Sequence, residues 1–190
     1  MPIDLRTFFN GIIKKDDLTN QEPYKNNQMK KFKLEMKWAV LFMVMTLLWM
    51  VLEKLVGLHS THIDLHLYLT NLYAIPAILV YVFALKEKKK KDFNGQMTFK
   101  QGLFSGLIIT LMITVFAPLT QWIISTIITP EYFPNVIAHS VETGYHSSLK
   151  EAQAYFNLKN YIVQSTIGTL LMGIVTTLIV AFFLKTKVRK

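Results

Sequence analysis

The sequence predicts an all-α integral membrane protein with four transmembrane helices packed as an antiparallel bundle. Two observations support this class. Four long apolar stretches divide the 190-residue chain. Nearly all basic residues lie before the first stretch, between the second and the third, or after the fourth. Each stretch is close to the ~20 residues that an α-helix needs to cross about 30 Å of hydrocarbon. The predicted spans are 38–56, 67–85, 102–122 and 161–184.

The distribution of positive charge predicts the orientation. Of 21 Lys and Arg residues, all but three precede the first span, separate the second span from the third, or follow the fourth. The three exceptions are Lys54, Lys150 and Lys159. Because cytoplasmic loops carry the excess of Lys and Arg, we expect both termini and the middle loop in the cytoplasm.

The chain is expected to have two parts. Residues 1–29 are polar and irregular, which predicts a flexible cytoplasmic extension, and residues 30–190 form the transmembrane domain. The connection between the first two spans is short, so these spans are antiparallel neighbours.

Local signals mark the elements that follow. Thr98 and Gln101 match a capping box that begins span three. After span three, Pro134 suits the first turn of a helix and Gly144 suits its end. Residues 148–151 resemble a second helix start, from which the helical pattern runs into span four. We therefore expect two short helices on the outer surface between spans three and four.

Each predicted span places one hydrogen-bonding side chain near its outer end. Polar groups that face lipid are costly, so these side chains are expected to point inward as a polar intramembrane cluster. One interpretation is a clamp between helices, in which each bond contributes roughly 0.6–2 kcal/mol. The other is a polar cavity open to the outer side, with Glu53 as a titrating carboxylate. The four residues are Glu53, Asn71, Gln121 and Gln164.

The connection after span one contains the most metal-like string of the chain. Imidazole together with carboxylate suits zinc or another divalent ion, and the i, i+4 spacing of two of the histidines places both on one helical face. The string matches no established motif, and polar loops are often rich in histidine. The sequence therefore favours no cofactor, with a divalent metal as the alternative. The candidate ligands are His59, His62, Asp64 and His66.

A basic block follows span two. Its positive charge is expected to keep this loop in the cytoplasm, and the block is also a candidate for binding anionic lipid headgroups. Because the basic residues flank apolar helices and belong to no recognisable nucleic-acid module, no nucleic-acid partner is expected. The chain has no cysteine, which excludes disulfides and thiolate metal sites. The headgroup candidates are Lys86, Lys88, Lys89, Lys90 and Lys91.

Seven segments carry a family resemblance. They are MKKFK at 29–33, LEKL at 52–55, TNLYAIPAI at 70–78, MTFKQG at 97–102, SGLIIT at 105–110, ITPEYFPN at 128–135 and EAQAYFNLK at 151–159. With these segments the sequence resembles a bacterial domain-of-unknown-function family of small four-span membrane proteins, over about residues 30–190. The resemblance implies an inner-membrane location with both termini inside. It implies no activity, so no residue receives a role from it.

The leading functional hypothesis is a non-enzymatic integral inner-membrane protein of unknown biochemical function, acting as a packing or partner subunit. Its expected partners are the lipid bilayer and either a second copy of the chain or another membrane protein. One alternative is a small ion or solute transporter or channel that uses the polar intramembrane cluster around an outer-facing cavity. Another is a metal-dependent membrane enzyme using the histidine string, for which the sequence offers no identifiable nucleophile or general base pair.

Overall fold

The computed structural model describes residues 32–186, so the predicted extension 1–29 lies outside the described residues. The chain divides into two units, Met1–Leu34 and Glu35–Lys190. Only the first residues of a helix are described in the first unit, and the fold below is that of the second. The described residues form helices and connecting turns and contain no strand, which confirms the all-α prediction.

Four helical segments of the described residues are long and apolar enough to cross a membrane. They are Lys33–Leu55, Ile63–Asp92, Phe99–Ile128 and Leu158–Leu184. Each overlaps one predicted span and begins three to five residues before it, because backbone hydrogen bonding continues into polar residues that hydropathy excludes. The α-helices of the described part are α1 (Lys33–Leu55), α2 (His66–Leu69), α3 (Ala74–Asp92), α4 (Phe99–Ile123), α5 (Tyr132–Glu142), α6 (Leu149–Tyr155) and α7 (Leu158–Leu184).

Irregular turns interrupt the second and third spans. The second span tightens into a 3₁₀ turn at Thr70–Tyr73, which ends three residues before Pro76. Pro76 has no N–H to donate to the carbonyl one turn earlier. The third span passes through Pro118 and changes into a π turn at Ile124–Ile128. The two intramembrane prolines therefore lie in spans that depart from regular α geometry.

The most extensive contact between spans joins α4 to α7. It depends on small residues at two crossing points. A Cβ on Gly106 would lie 2.9 Å from the hydroxyl of Thr177, and a Cβ on Gly173 would lie 2.8 Å from the hydroxyl of Thr110. Glycine at both positions lets the two backbones approach closely, as expected for small-residue packing in membranes.

The predicted helix starts are confirmed. Thr98 caps α4, and its side chain and that of Gln101 form the complete capping box. Ser148 caps α6 by accepting a hydrogen bond from the N–H of Glu151. Two short helices, α5 and α6, therefore precede span four as predicted.

One predicted connection is wrong. The helical pattern from residues 148–151 was expected to run into span four, but α6 ends at Tyr155 and α7 begins at Leu158. The break occurs because Asn157 adopts an extended conformation and its side chain accepts a hydrogen bond from the N–H of Asn160, 3.0 Å away. Such a side-chain cap starts a new helix rather than continuing the old one.

Candidate functional site

The last turn of α1 places the carboxylate of Glu53 in a buried position, with 2% of the residue exposed. Trp49 lies one turn earlier on the same face, and its indole N–H donates to Oε1 of Glu53 over 2.6 Å. The second carboxylate oxygen, Oε2, faces away from the indole and meets the side chains that follow α1.

A glycine turn after α1 brings His59 back onto this carboxylate. Gly57 has a φ of 82°, and its N–H bonds to the carbonyl of Lys54 while the N–H of Leu58 bonds to that of Glu53. These two bonds are the Schellman arrangement, which reverses the chain at a helix end. As a result, Nε2 of the buried His59 lies 3.1 Å from Oε2 of Glu53.

His66, the first residue of α2, supplies a third group. Its Nε2 lies 3.8 Å from Oε2 of Glu53, and 19% of its side chain is exposed. One ligand-type atom from each of Glu53, His59 and His66 lies within 4.8 Å of the others. We call these three residues the Glu53 cluster.

Helix α5 covers the Glu53 cluster. The amide of Asn135 donates to the backbone carbonyl of His59 over 2.8 Å. The ring of Tyr132 lies 5.2 Å, centroid to centroid, from each of the rings of His59 and His66. Burial raises the pKa of Tyr132, and its hydroxyl lies 3.2 Å from that of Tyr161. The phenol therefore remains protonated at neutral pH and packs beside the histidines as a neutral group.

The structure brings together only two of the four residues of the histidine string. His62 is exposed, and its Nδ1 lies 3.1 Å from the carbonyl of Val56. Asp64 is exposed as well. The i, i+4 spacing of His62 and His66 does not pair them, because the chain between them forms a 3₁₀ turn rather than an α-helical turn.

The four residues of the predicted polar intramembrane cluster do not share a site. Glu53 belongs to the Glu53 cluster. Asn71 is exposed and donates to the backbone carbonyl of Leu67 over 2.7 Å. Gln121 donates to the hydroxyl of Ser125, one turn along the same helix. Gln164 is exposed on α7. Similar depth along four spans did not imply a common face, since depth and rotation about the helix axis are independent.

A second buried ionic cluster, which sequence reasoning did not single out, lies at the other end of α1. Nζ of Lys88 lies 2.7 Å from Oε1 of Glu35 and 2.6 Å from Oδ2 of Asp92. The hydroxyl of Ser105 donates to the same Oε1 over 2.8 Å. We call these four residues the Glu35 cluster. The i, i+4 spacing of Lys88 and Asp92 was the one signal in the sequence that pointed to it.

The Glu35 cluster corrects the interpretation of the basic block. Lys88 is buried by its two carboxylate partners and is therefore not available to lipid headgroups. Lys89 donates to the carbonyl of Leu184 over 2.8 Å, at the end of α7. Lys86, Lys90 and Lys91 are exposed and remain the headgroup candidates.

A cavity of about 70 Å³ lies between α1, α4 and α7. Gln121 contributes to its lining together with hydroxyls from Thr46, Thr120 and Ser165, but Glu53 does not line it.

The length and apolar character of the four spans are those of a multi-pass membrane protein. A family model described as a protein of unknown function, DUF4199, matches residues 37–186, and the chain belongs to this family. The resemblance noted in the sequence is thereby confirmed. No curated protein and no solved structure matches the chain.

Proposed function

We propose that this chain is a non-enzymatic protein of the bacterial inner membrane that acts as a packing or partner subunit, through association of its last span with another helix. The observation that carries the proposal is the exposed side-chain amide of Gln164 on a span that is otherwise strongly apolar.

The exposed amide lies on a face of α7 that is shaped for another helix. Gly168 lies one turn further along, and a Cβ built there would meet nothing within 4 Å. Leu171 and Val175 continue the same face and are 57% and 47% exposed. The opposite face of α7, which contains Gly173 and Thr177, is already packed against α4. We call residues 164, 168, 171 and 175 the Gln164 face.

Helix association satisfies the amide. An unpaired amide costs free energy in hydrocarbon, whereas a second helix supplies a donor and an acceptor. A glycine on the same face lets that helix approach closely, and each interhelical hydrogen bond contributes about 0.6–2 kcal/mol. A second copy of the chain is the simplest partner, because two identical Gln164 faces pair their amides with each other.

The natural absence of cysteine makes the association directly testable. Leu171→Cys and Leu170→Cys form a matched pair, since both leucines are exposed and adjacent but point about 100° apart on the helix. We expect oxidative cross-linking of Leu171→Cys in membranes, reduced when Gln164→Leu is added, and little cross-linking of Leu170→Cys. Equal cross-linking at the two positions would contradict the proposal.

The proposed orientation puts both termini and the 93–98 loop in the cytoplasm, which rests on the distribution of Lys and Arg. Helices α5 and α6 and the Glu53 cluster then lie at the outer face. Reporter fusions after Leu58 or near Gly144 should behave as exported, and fusions after Lys91 or Lys190 as cytoplasmic. An exported signal from a fusion after Lys91 would reverse the orientation.

The two alternative functions have less support. A transport pathway through the polar intramembrane cluster needs its residues around one cavity, but Asn71 and Gln164 are exposed on separate segments. A metal-dependent enzyme needs space for a substrate beside the metal. The ring of Tyr132 packs against both imidazoles of the Glu53 cluster, and the described residues offer no nucleophile or general base beside them that this geometry singles out.

A further inference from the structure

We propose that Glu53, His59 and His66 bind one divalent metal ion, with zinc as the preferred ion. The three side chains present a carboxylate oxygen and two imidazole nitrogens within 4.8 Å of one another. This inference is independent of helix association through the Gln164 face, which lies on a different span.

The distances fit a tetrahedral ion after small side-chain movements. Ligand atoms bound to zinc at about 2.0–2.1 Å in tetrahedral geometry lie roughly 3.3 Å from each other. Oε2 of Glu53 is 3.1 Å from Nε2 of His59 and 3.8 Å from Nε2 of His66. These two separations bracket the tetrahedral value, and the third, between the ligand atoms of the two imidazoles, is within 4.8 Å.

The electrostatics of the cluster also favour a cation. Three atoms that can carry lone pairs lie within 4.8 Å of one another, two of them on buried residues, and a single proton bridges only one pair of them. The proton between Glu53 and His59 leaves His66 beyond hydrogen-bond distance of the carboxylate. A divalent ion satisfies all three atoms at once and neutralises the buried carboxylate.

Neighbouring residues hold the ligands in position. The indole N–H of Trp49 occupies Oε1 of Glu53 and so leaves Oε2 as the free ligand atom. Asn135 fixes the backbone of His59 from α5. Such supporting contacts orient metal ligands in known sites.

The ligand set selects the class of ion. Two imidazoles with one carboxylate suit zinc, whereas magnesium and calcium prefer sites made of oxygen atoms. Three protein ligands would leave a fourth position for water, and the side chain of His66, 19% exposed, is the most accessible of the three ligands. A bound ion would therefore link the end of α1, the turn after it and the start of α2.

The test uses the full chain in detergent, purified with a tag that contains no histidine and stripped with a chelator. Zinc alone is then titrated, and bound metal is measured by elemental analysis. We expect close to one equivalent for the wild type, and at least about tenfold weaker binding for Glu53→Gln and for His66→Ala. His62→Ala and Asp64→Asn are matched controls from the same string, and we expect them to bind as the wild type does.

A second measurement separates loss of the site from loss of the fold. Zinc should raise the Tm of the wild type and of His62→Ala, because a ligand that binds only the folded state stabilises it. At the same zinc concentration it should raise the Tm of His66→Ala less, while that variant without zinc still unfolds cooperatively. Substoichiometric zinc in the wild type, or an equal loss in His62→Ala and His66→Ala, would overturn the proposal.

Discussion

The two ends of α1 each bury a glutamate, and the groups around the two carboxylates differ. Glu35 meets the ammonium of Lys88 and a serine hydroxyl, whereas Glu53 meets an indole N–H and two imidazoles. The two carboxylates are about 27 Å apart along the helix at 1.5 Å per residue. One end therefore holds a carboxylate paired with an ammonium group, and the other holds a carboxylate beside the two imidazoles with which we propose it binds a metal ion.

The two clusters also differ in the part of the chain that builds them. The Glu35 cluster joins α1, α3 and α4, so its formation requires three spans to be in place. The Glu53 cluster is local, because its members come from the end of α1 and from the turn and short helix that follow. A contact between distant spans stabilises their packing against one another. Metal binding to a local cluster, by contrast, would have little effect on the positions of the spans.

The largest expected effect is on the Glu35 cluster. Lys88→Met leaves the carboxylate of Glu35 buried without its cation, which costs about 3–5 kcal/mol when one partner of a buried ion pair is removed. We expect a large loss of unfolding free energy in detergent, measured by denaturant titration. The double variant Glu35→Leu with Lys88→Met removes both charges and should recover most of it. If the unfolding free energy of Lys88→Met equals that of the wild type, the Glu35 cluster does not stabilise the fold.

An intermediate effect is expected at Glu53. In Glu53→Leu the indole N–H of Trp49 and the imidazole of His59 both lose their acceptor, and each buried unpaired group costs about 1–3 kcal/mol. In Glu53→Gln the amide oxygen still accepts from Trp49, so thermal unfolding should stay close to that of the wild type. Similar losses in the two variants would show that charge, rather than hydrogen bonding, stabilises this end.

A smaller effect is expected from two tryptophans of α1 that donate hydrogen bonds to different carboxylates. Trp38 donates to Glu87, a carboxylate that also accepts from Lys37 and Lys91, whereas Trp49 donates to the more deeply buried Glu53. Trp49→Phe should cost about 1.5–3 kcal/mol, because a hydrogen bond to a buried charge is lost. Trp38→Phe should cost less, since two ammonium groups remain on its acceptor. Denaturant titration of both variants checks the order.

The smallest effect on stability is expected at the exposed start of α6. The contact there belongs to neither buried cluster and therefore provides a reference for both. The hydroxyl and N–H of Ser147 donate to Glu151 and lower the pKa of that carboxylate. A lowered pKa means that the contact stabilises the fold fully above the unfolded-state value of about 4.3 and is lost as the pH falls. The amide resonance of Ser147, followed by NMR, should therefore titrate with a midpoint below that value. In Glu151→Gln this titration should disappear.

Several local features were predictable because their causes lie within a few residues. The capping box of Thr98, the start of α6 at Ser148 and the positive φ of Gly144 follow from short-range hydrogen bonding and backbone sterics. The pairing of Glu53 with His59 also had a local signal, the glycine at position 57 between them, which reverses the chain after a helix. Sequence reasoning placed Glu53 with the wrong partners because it compared depth in the membrane and not this reversal.

The sequence by itself determined the four segments of the described residues that are long and apolar enough to cross a membrane, and the starts of several helices, since hydropathy and capping are properties of adjacent residues. Only the tertiary structure decided which polar groups meet. The pairing of Glu35 with Lys88 and Ser105 depends on the rotation of three helices about their axes, as does the exposure of Gln164. That rotation is set by the packing of small residues between α4 and α7 and by contacts between distant spans, which hydropathy along a single span does not record.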